Sequence, residues 1–208
     1  MEFRAGEAAK THFDPLSDLF IAQFARPAGL SSVNLRALTP FQRALLVIDG
    51  TVTKFIEAYV MEPVRARIIG HEWHRLSAGH TWLEADAGTT VIAREVVLEG
   101  EYSATLYAHA LSLIVPDRLP EAAREQLTEN PGGLGRILLD IRLESRREVL
   151  WYGREMSKEV SRDLSEAIRS RMTGGCLTRT YRIITSGRPV MLIHERFPMD
   201  ADRLPSQI

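Results

Sequence analysis

Glu195 lies in the run Val190-Met191-Leu192-Ile193-His194-Glu195-Arg196-Phe197, where strand alternation sets it beside Met191, Ile193 and Phe197. Val190, Leu192, His194 and Arg196 point the other way. An ionised carboxylate in such apolar company costs roughly several kcal/mol unless it finds a cation, accepts hydrogen bonds or keeps its proton. A cation is offered by Val91-Ile92-Ala93-Arg94-Glu95-Val96-Val97-Leu98, in which Arg94 shares a face with Ile92, Val96 and Leu98. Two opposite charges are therefore aimed inward from two different strands. One outcome is a buried Arg–Glu pair that only satisfies itself; the other is a closed chamber that binds an anion and carries an acid–base group.

The elements that must position these residues are legible in turn. Thr180-Tyr181-Arg182-Ile183-Ile184 and the run after Pro189 are β-branched or aromatic-rich and flank Thr185-Ser186-Gly187-Arg188-Pro189, which predicts a hairpin carrying Glu195. Residues 64–73, 90–99 and 104–115 read as long strands, the last two joined through Glu99-Gly100-Glu101. A weaker strand is expected over 144–149, extending toward Gly153. Thr39 followed by Pro40 and a dense apolar stripe marks a helix start, ended by Asp49-Gly50. A second helix begins after it, with Thr51 or Thr53 as cap. Further helical segments are expected at 116–127, with acidic residues early, at 134–139 after Asn130-Pro131-Gly132-Gly133, and at 157–172, where Val160, Leu164, Ala167, Ile168 and Met172 share a side. The strands are mostly consecutive with short links. The fold class predicted is therefore α+β, a single antiparallel sheet with helices packed on one side. Residues 1–36 read as an N-terminal arm, 37–200 as one domain and 201–208 as a tail.

Composition narrows the class of partner. The chain has 208 residues and a formal net charge of −1, enough length to bury a core and too little basic excess for nonspecific nucleic-acid binding. Cys176 is the only cysteine, so neither an intrachain disulfide nor a cysteine-based zinc site is available, and a cytoplasmic location is the simplest expectation. The N-terminus lacks a basic start followed by an apolar stretch, and no apolar run reaches membrane-spanning length, so no membrane association is expected.

With Arg94 and Glu195 inward, the words around them resemble chorismate pyruvate-lyase, in particular its divergent bacterial branch. The matching words are Thr51-Val52-Thr53-Lys54, Arg94-Glu95-Val96-Val97-Leu98, Pro131-Gly132-Gly133-Leu134-Gly135-Arg136, and Tyr181 through Val190 with Glu195-Arg196-Phe197-Pro198. Ser112-Leu113-Ile114-Val115-Pro116-Asp117-Arg118-Leu119-Pro120 matches the divergent branch. The resemblance spans about residues 40–198. It implies an antiparallel sheet without crossovers, with flaps closing an internal cavity. It further implies that Arg94 binds a ring carboxylate, that Glu195 lies against the ring hydroxyl, and that backbone amides at Val52 and Leu134, beside Gly135, contact the ligand. Glycines before a helix start also suit an anion on general grounds.

One residue departs from the better-known lyases, which carry an arginine where this chain has Ser112. A second substrate carboxylate then needs another cation, for which Arg182 or Arg179 is available. The resemblance implies conversion of chorismate to 4-hydroxybenzoate and pyruvate without metal or organic cofactor, Arg94 fixing the ring carboxylate and Glu195 moving a proton. A free-standing small-molecule sensor with the same pocket, or a lyase for a related cyclohexadiene carboxylate, are the alternatives.

Other groups read as structural. His71-Glu72-Trp73-His74 has no zincin spacing, and residues three apart on a strand face opposite sides. Cys176 has no base nearby in sequence. Trp73, Trp82 and Trp151 read as anchors, and Arg146-Arg147 and residues 169–171 as solvated faces.

Overall fold

The computed structural model describes residues 14–16, 18–129, 144–156 and 164–200. Its frame is one six-stranded sheet of β1 (Val64–Arg75), β2 (Thr90–Gly100), β3 (Leu106–Ile114), β4 (Arg146–Glu155), β5 (Cys176–Thr185) and β6 (Arg188–Pro198). The strand order is β1-β2-β3-β6-β5-β4, and every neighbouring pair is antiparallel. Sequence-adjacent strands are mostly neighbours, but β3 lies beside β6. The chain must therefore pass from the sheet centre to the far edge before β4, which corrects the expectation of a sheet without crossovers.

The β5–β6 hairpin is shorter at its tip than the sequence suggested. Its two loop residues, Ser186 and Gly187, both have positive φ (48° and 76°). That twist matches the twist of paired strands. Glycine fits the second position without strain.

Three helices, α1 (Pro40–Val47), α2 (Val52–Val60) and α3 (Glu121–Glu129), pack on one face. α1 starts where expected: the Thr39 side chain accepts from the Gln42 amide, and the Gln42 side chain accepts from the Thr39 amide. Phe41, Leu45 and Leu46 of α1 and Val52 and Ile56 of α2 bury against Ala108, Leu177 and Phe197 at one end of the strands. Leu119, Ala123 and Leu127 bury against Ile92, Ile114, Ile183 and Met191 at the other end. Between these two apolar clusters the middle of the same face sets Arg94, Ser112, Arg179 and Glu195 among Ala110, Ile193 and Tyr181.

The opposite face is covered piecemeal. A one-turn helix, α4 (Glu166–Arg169), brings Ile168, with flanking Leu164 and Met172, onto Val97, Leu106 and Cys176. Only this end of the helix expected over 157–172 falls within the described residues. Residues 18–38 form two single turns of 3-10 helix, Gln23–Ala25 and Leu35–Ala37, and bind the edge strand β4 through Ile21, Ala22 and Ser31. Gly153 makes the last contact close: a Cβ there would stand 2.8 Å from Leu30 Cβ.

Candidate active site

Cross-strand register decides which residues share the middle of the helical face. Arg94 stands opposite Ser112, Ser112 opposite Ile193, Ile193 opposite Tyr181, and Tyr181 opposite Val149. Two residues further along lies the row Ala110, Glu195 and Arg179. The alternation reading is borne out in that Arg94 and Glu195 are buried, 1% and 7% exposed, and share one face.

They do not grip each other. Glu195 Oε2 accepts from Arg179 Nε at 2.7 Å, and Glu195 Oε1 accepts from the Tyr181 hydroxyl at 3.2 Å. Arg179 also donates from Nη1 to the Ile48 carbonyl at 2.9 Å and lies over the Tyr181 ring, 5.1 Å from its centroid. Burial acts against the Arg179 charge, but the adjacent Glu195 carboxylate outweighs it, so the guanidinium pKa lies above its ordinary value. Burial, with help from Glu195, pushes the Tyr181 hydroxyl pKa up as well. Tyr181 is thus a donor to the carboxylate and not a base. Burial pulls Arg94 below the ordinary arginine value, and its charge, after burial, also depresses the pKa of His71, which stands opposite it on β1.

A cavity of about 80 Å³ open to water centres occupies this middle layer. Its floor is Val96, Leu98, Ala110, Ser112, Ile183, Ile193 and Glu195; Tyr181 and Arg147 close one side, and residues 50–53 at the start of α2 form the roof. Thr51 is the N-cap of α2 yet makes no side-chain cap bond, so the first-turn N–H groups lack that acceptor. Val52 is on this roof. Ser112 is on the floor, its hydroxyl donating to the Arg94 carbonyl at 3.3 Å, and Arg94 lies buried beside the chamber rather than in its lining. Leu134 and Gly135 lie outside the described residues.

Arg182 is a correction. It stands opposite Leu192 and Glu148 on the other face of the sheet, where it binds Glu148 at 2.7 Å and Glu84 at 2.8 Å. It therefore cannot reach the chamber. Arg147 is the reverse case: read from sequence as a solvated strand residue, it lines the cavity, with its guanidinium carbon 5.9 Å from the Tyr181 ring centroid. The signal was present in the alternation of Arg147 with Val149, but the adjacent Arg146 made the pair read as a solvated face. His71 and His74 fall on opposite faces, opposite Arg94 and Val91 respectively. Among the described residues no group of three or more His, Cys, Asp or Glu side chains is placed to hold a metal ion.

The description of the Rv2949c-like chorismate pyruvate-lyases matches residues 46–204. The chain belongs to this family. It is 28% identical over 173 residues to a chorismate pyruvate-lyase of Mycobacterium tuberculosis, covering 81% of this chain and 84% of that protein. A chorismate pyruvate-lyase of Mycobacterium leprae is 28% identical over 170 residues, covering 81% and 79%. In fold, the chain is similar to PhnF from Mycobacterium smegmatis, with a TM-score of 0.53 at 11% identity over 78% of this chain and 69% of that one. The effector domain of PhnF gives 0.50 at 12% identity over 75% and 91%. Among the described residues, no helix is long and apolar enough to cross a membrane.

Proposed function

We propose that this protein is a chorismate pyruvate-lyase, converting chorismate to 4-hydroxybenzoate and pyruvate in the chamber between the sheet and α2. The observation that carries this reading is Glu195, a buried carboxylate held from behind by Arg179 and Tyr181 with the cavity in front of it. Family membership supplies the reaction; the geometry supplies a group able to perform its proton transfer.

Chorismate carries an enolpyruvyl ether at C3, a hydroxyl and a hydrogen at C4, and a ring carboxylate. The C3–O bond breaks with its electrons going to oxygen, and the C4 hydrogen leaves as a proton, which makes the ring aromatic. The enolpyruvate gains a proton at its methylene and becomes pyruvate. The reaction is thus balanced without oxidant, metal or external water, and aromatisation drives it.

In this reading Arg94 pairs with the ring carboxylate, a charged contact worth about 1.5–3 kcal/mol. N–H groups at the start of α2, Val52 among them, close on the ligand from above. Glu195, with lone pairs beyond those engaged by Arg179 and Tyr181, accepts the C4 proton and returns it to the departing enolpyruvate. Ser112 is too short to bear on either carboxylate as a cation would. It keeps the floor beneath the ring free of bulk.

Purified protein with chorismate should release 4-hydroxybenzoate and pyruvate in equal amounts. Glu195→Gln should bind chorismate and lose about 10²–10⁴ of kcat, and Arg94→Ala should lose ligand binding. Binding of chorismate by the unaltered protein without turnover would replace the lyase by a small-molecule sensor, and a different aromatic product would indicate a related cyclohexadiene carboxylate as substrate.

A further inference from the structure

Chorismate has two carboxylates, and the reading above places only one. We propose that Arg147 binds the second, on the enolpyruvyl arm, and so sets the preference of the chamber for a dianion; this rests on the lyase reading for the identity of the ligand, not for the existence of the subsite.

Among the described residues, elimination of the neighbouring cations leads to Arg147. Arg179 is committed to Glu195 and the Ile48 carbonyl, and Arg182 is on the opposite face with Glu148 and Glu84. Arg94 lies on β2 and Arg147 on β4, with three strands between them in the sheet order, so the two arginines flank the chamber floor from opposite sides. That separation suits a ligand with an anion at each end. Arg147 Nε is buried and has no hydrogen-bond partner, which leaves an aligned donor to be satisfied. Its Nη1 reaches Asp49 at 3.3 Å, but the Asp49 side chain is 78% exposed against 23% for Arg147, so water can take over the aspartate when a ligand carboxylate displaces it. The guanidinium also lies over the Tyr181 ring, whose hydroxyl donates to Glu195. A carboxylate on Arg147 therefore holds the enolpyruvyl arm within one tyrosine ring of the proton-transfer group.

The test compares chorismate, with two carboxylates, and 4-hydroxybenzoate, with one, by equilibrium binding to Glu195→Gln protein, with and without a change at position 147. Arg147→Ala should weaken chorismate about 10- to 100-fold, the loss of a charge-assisted contact, and leave 4-hydroxybenzoate within about twofold, with Arg147→Lys between them. Asp49→Asn, which removes the competing negative charge, should tighten chorismate and not 4-hydroxybenzoate. The proposal is overturned if chorismate affinity is unchanged in Arg147→Ala, or if both ligands weaken equally in Arg147→Lys, which keeps the charge and the stem. An unaltered protein that discriminates dianion from monoanion through Arg147 but yields no 4-hydroxybenzoate would keep the subsite and remove the lyase reading alone.

Discussion

Arg179 is buried against the Glu195 carboxylate. It is 1% exposed, and its removal leaves Glu195 charged in an apolar layer. Arg179→Met should destabilise the fold by about 3–5 kcal/mol, as for other buried pairs broken from one side, measured as a fall in the urea midpoint at constant m-value. The double substitution Arg179→Met/Glu195→Leu should recover most of that loss while remaining inactive. At this scale the sequence was half legible. Alternation alone turned Arg94 and Glu195 inward, because period-2 patterning needs no knowledge of neighbours. It could not say which arginine meets Glu195, since that follows from the β5–β6 register, which sets Arg179 opposite Glu195. Cys176 is also as inert as the sequence implied: burial pushes its thiol up to about 12. Iodoacetamide at pH 8 should label it only after unfolding.

Among the elements, the hairpin from β2 to β3 shows how a turn can be built around one acid. Glu62 accepts from the Tyr107 hydroxyl at 2.5 Å, the Ser103 hydroxyl at 2.7 Å and the Tyr102 and Ser103 amides at 3.1 Å each. Gly100 leaves the space this needs, because a Cβ there would stand 2.4 Å from Glu62 Oε1. Gly100→Ala should therefore displace the acid and lower stability by about 2–3 kcal/mol, close to the loss expected for Glu62→Ala, both read from thermal melts. Thr39→Ala, at the cap of α1, should cost only about 1 kcal/mol. Element types were readable wherever a local signal was complete, as in the reciprocal cap at Thr39 and Gln42. Facing was lost at bulges. The irregularities at Ile68/Gly70 and Val149/Trp151 each shift the alternation by one residue, whereas Arg147 read as solvated because it sits in a doubly charged Arg146-Arg147 step. The order of strands was lost too, since hydrophobic pattern does not state that β3 pairs with β6.

For the whole molecule, acid should unfold the protein in two stages. Burial, opposed in part by Glu95, lowers the His109 pKa from 6.5. The unfolded chain then takes up a proton near that value which the folded chain refuses, so stability starts to fall as pH drops below about 6.5. The second stage comes from Glu62 and Glu155, whose pKa values lie below 4.5 because their hydrogen bonds, to Tyr107 and Ser103 and to His194 and Arg196 respectively, overcome burial. Their contribution is fully present above about 4.5 and is lost as pH falls through the lowered folded values. Urea midpoints from pH 8 to pH 3 should show both declines, and His109→Gln should reduce the first, to which the lowered His71 also contributes, while leaving the second.

The bond from Arg179 to the Ile48 carbonyl has a consequence for traffic. Ile48 begins the short link between α1 and α2, and the next residues roof the chamber. Moving that link outward breaks a charged hydrogen bond worth about 1.5–3 kcal/mol. One guanidinium thus fastens the roof and steadies the Glu195 carboxylate. Any opening above the chamber and any disturbance of the acid beneath it are mechanically tied.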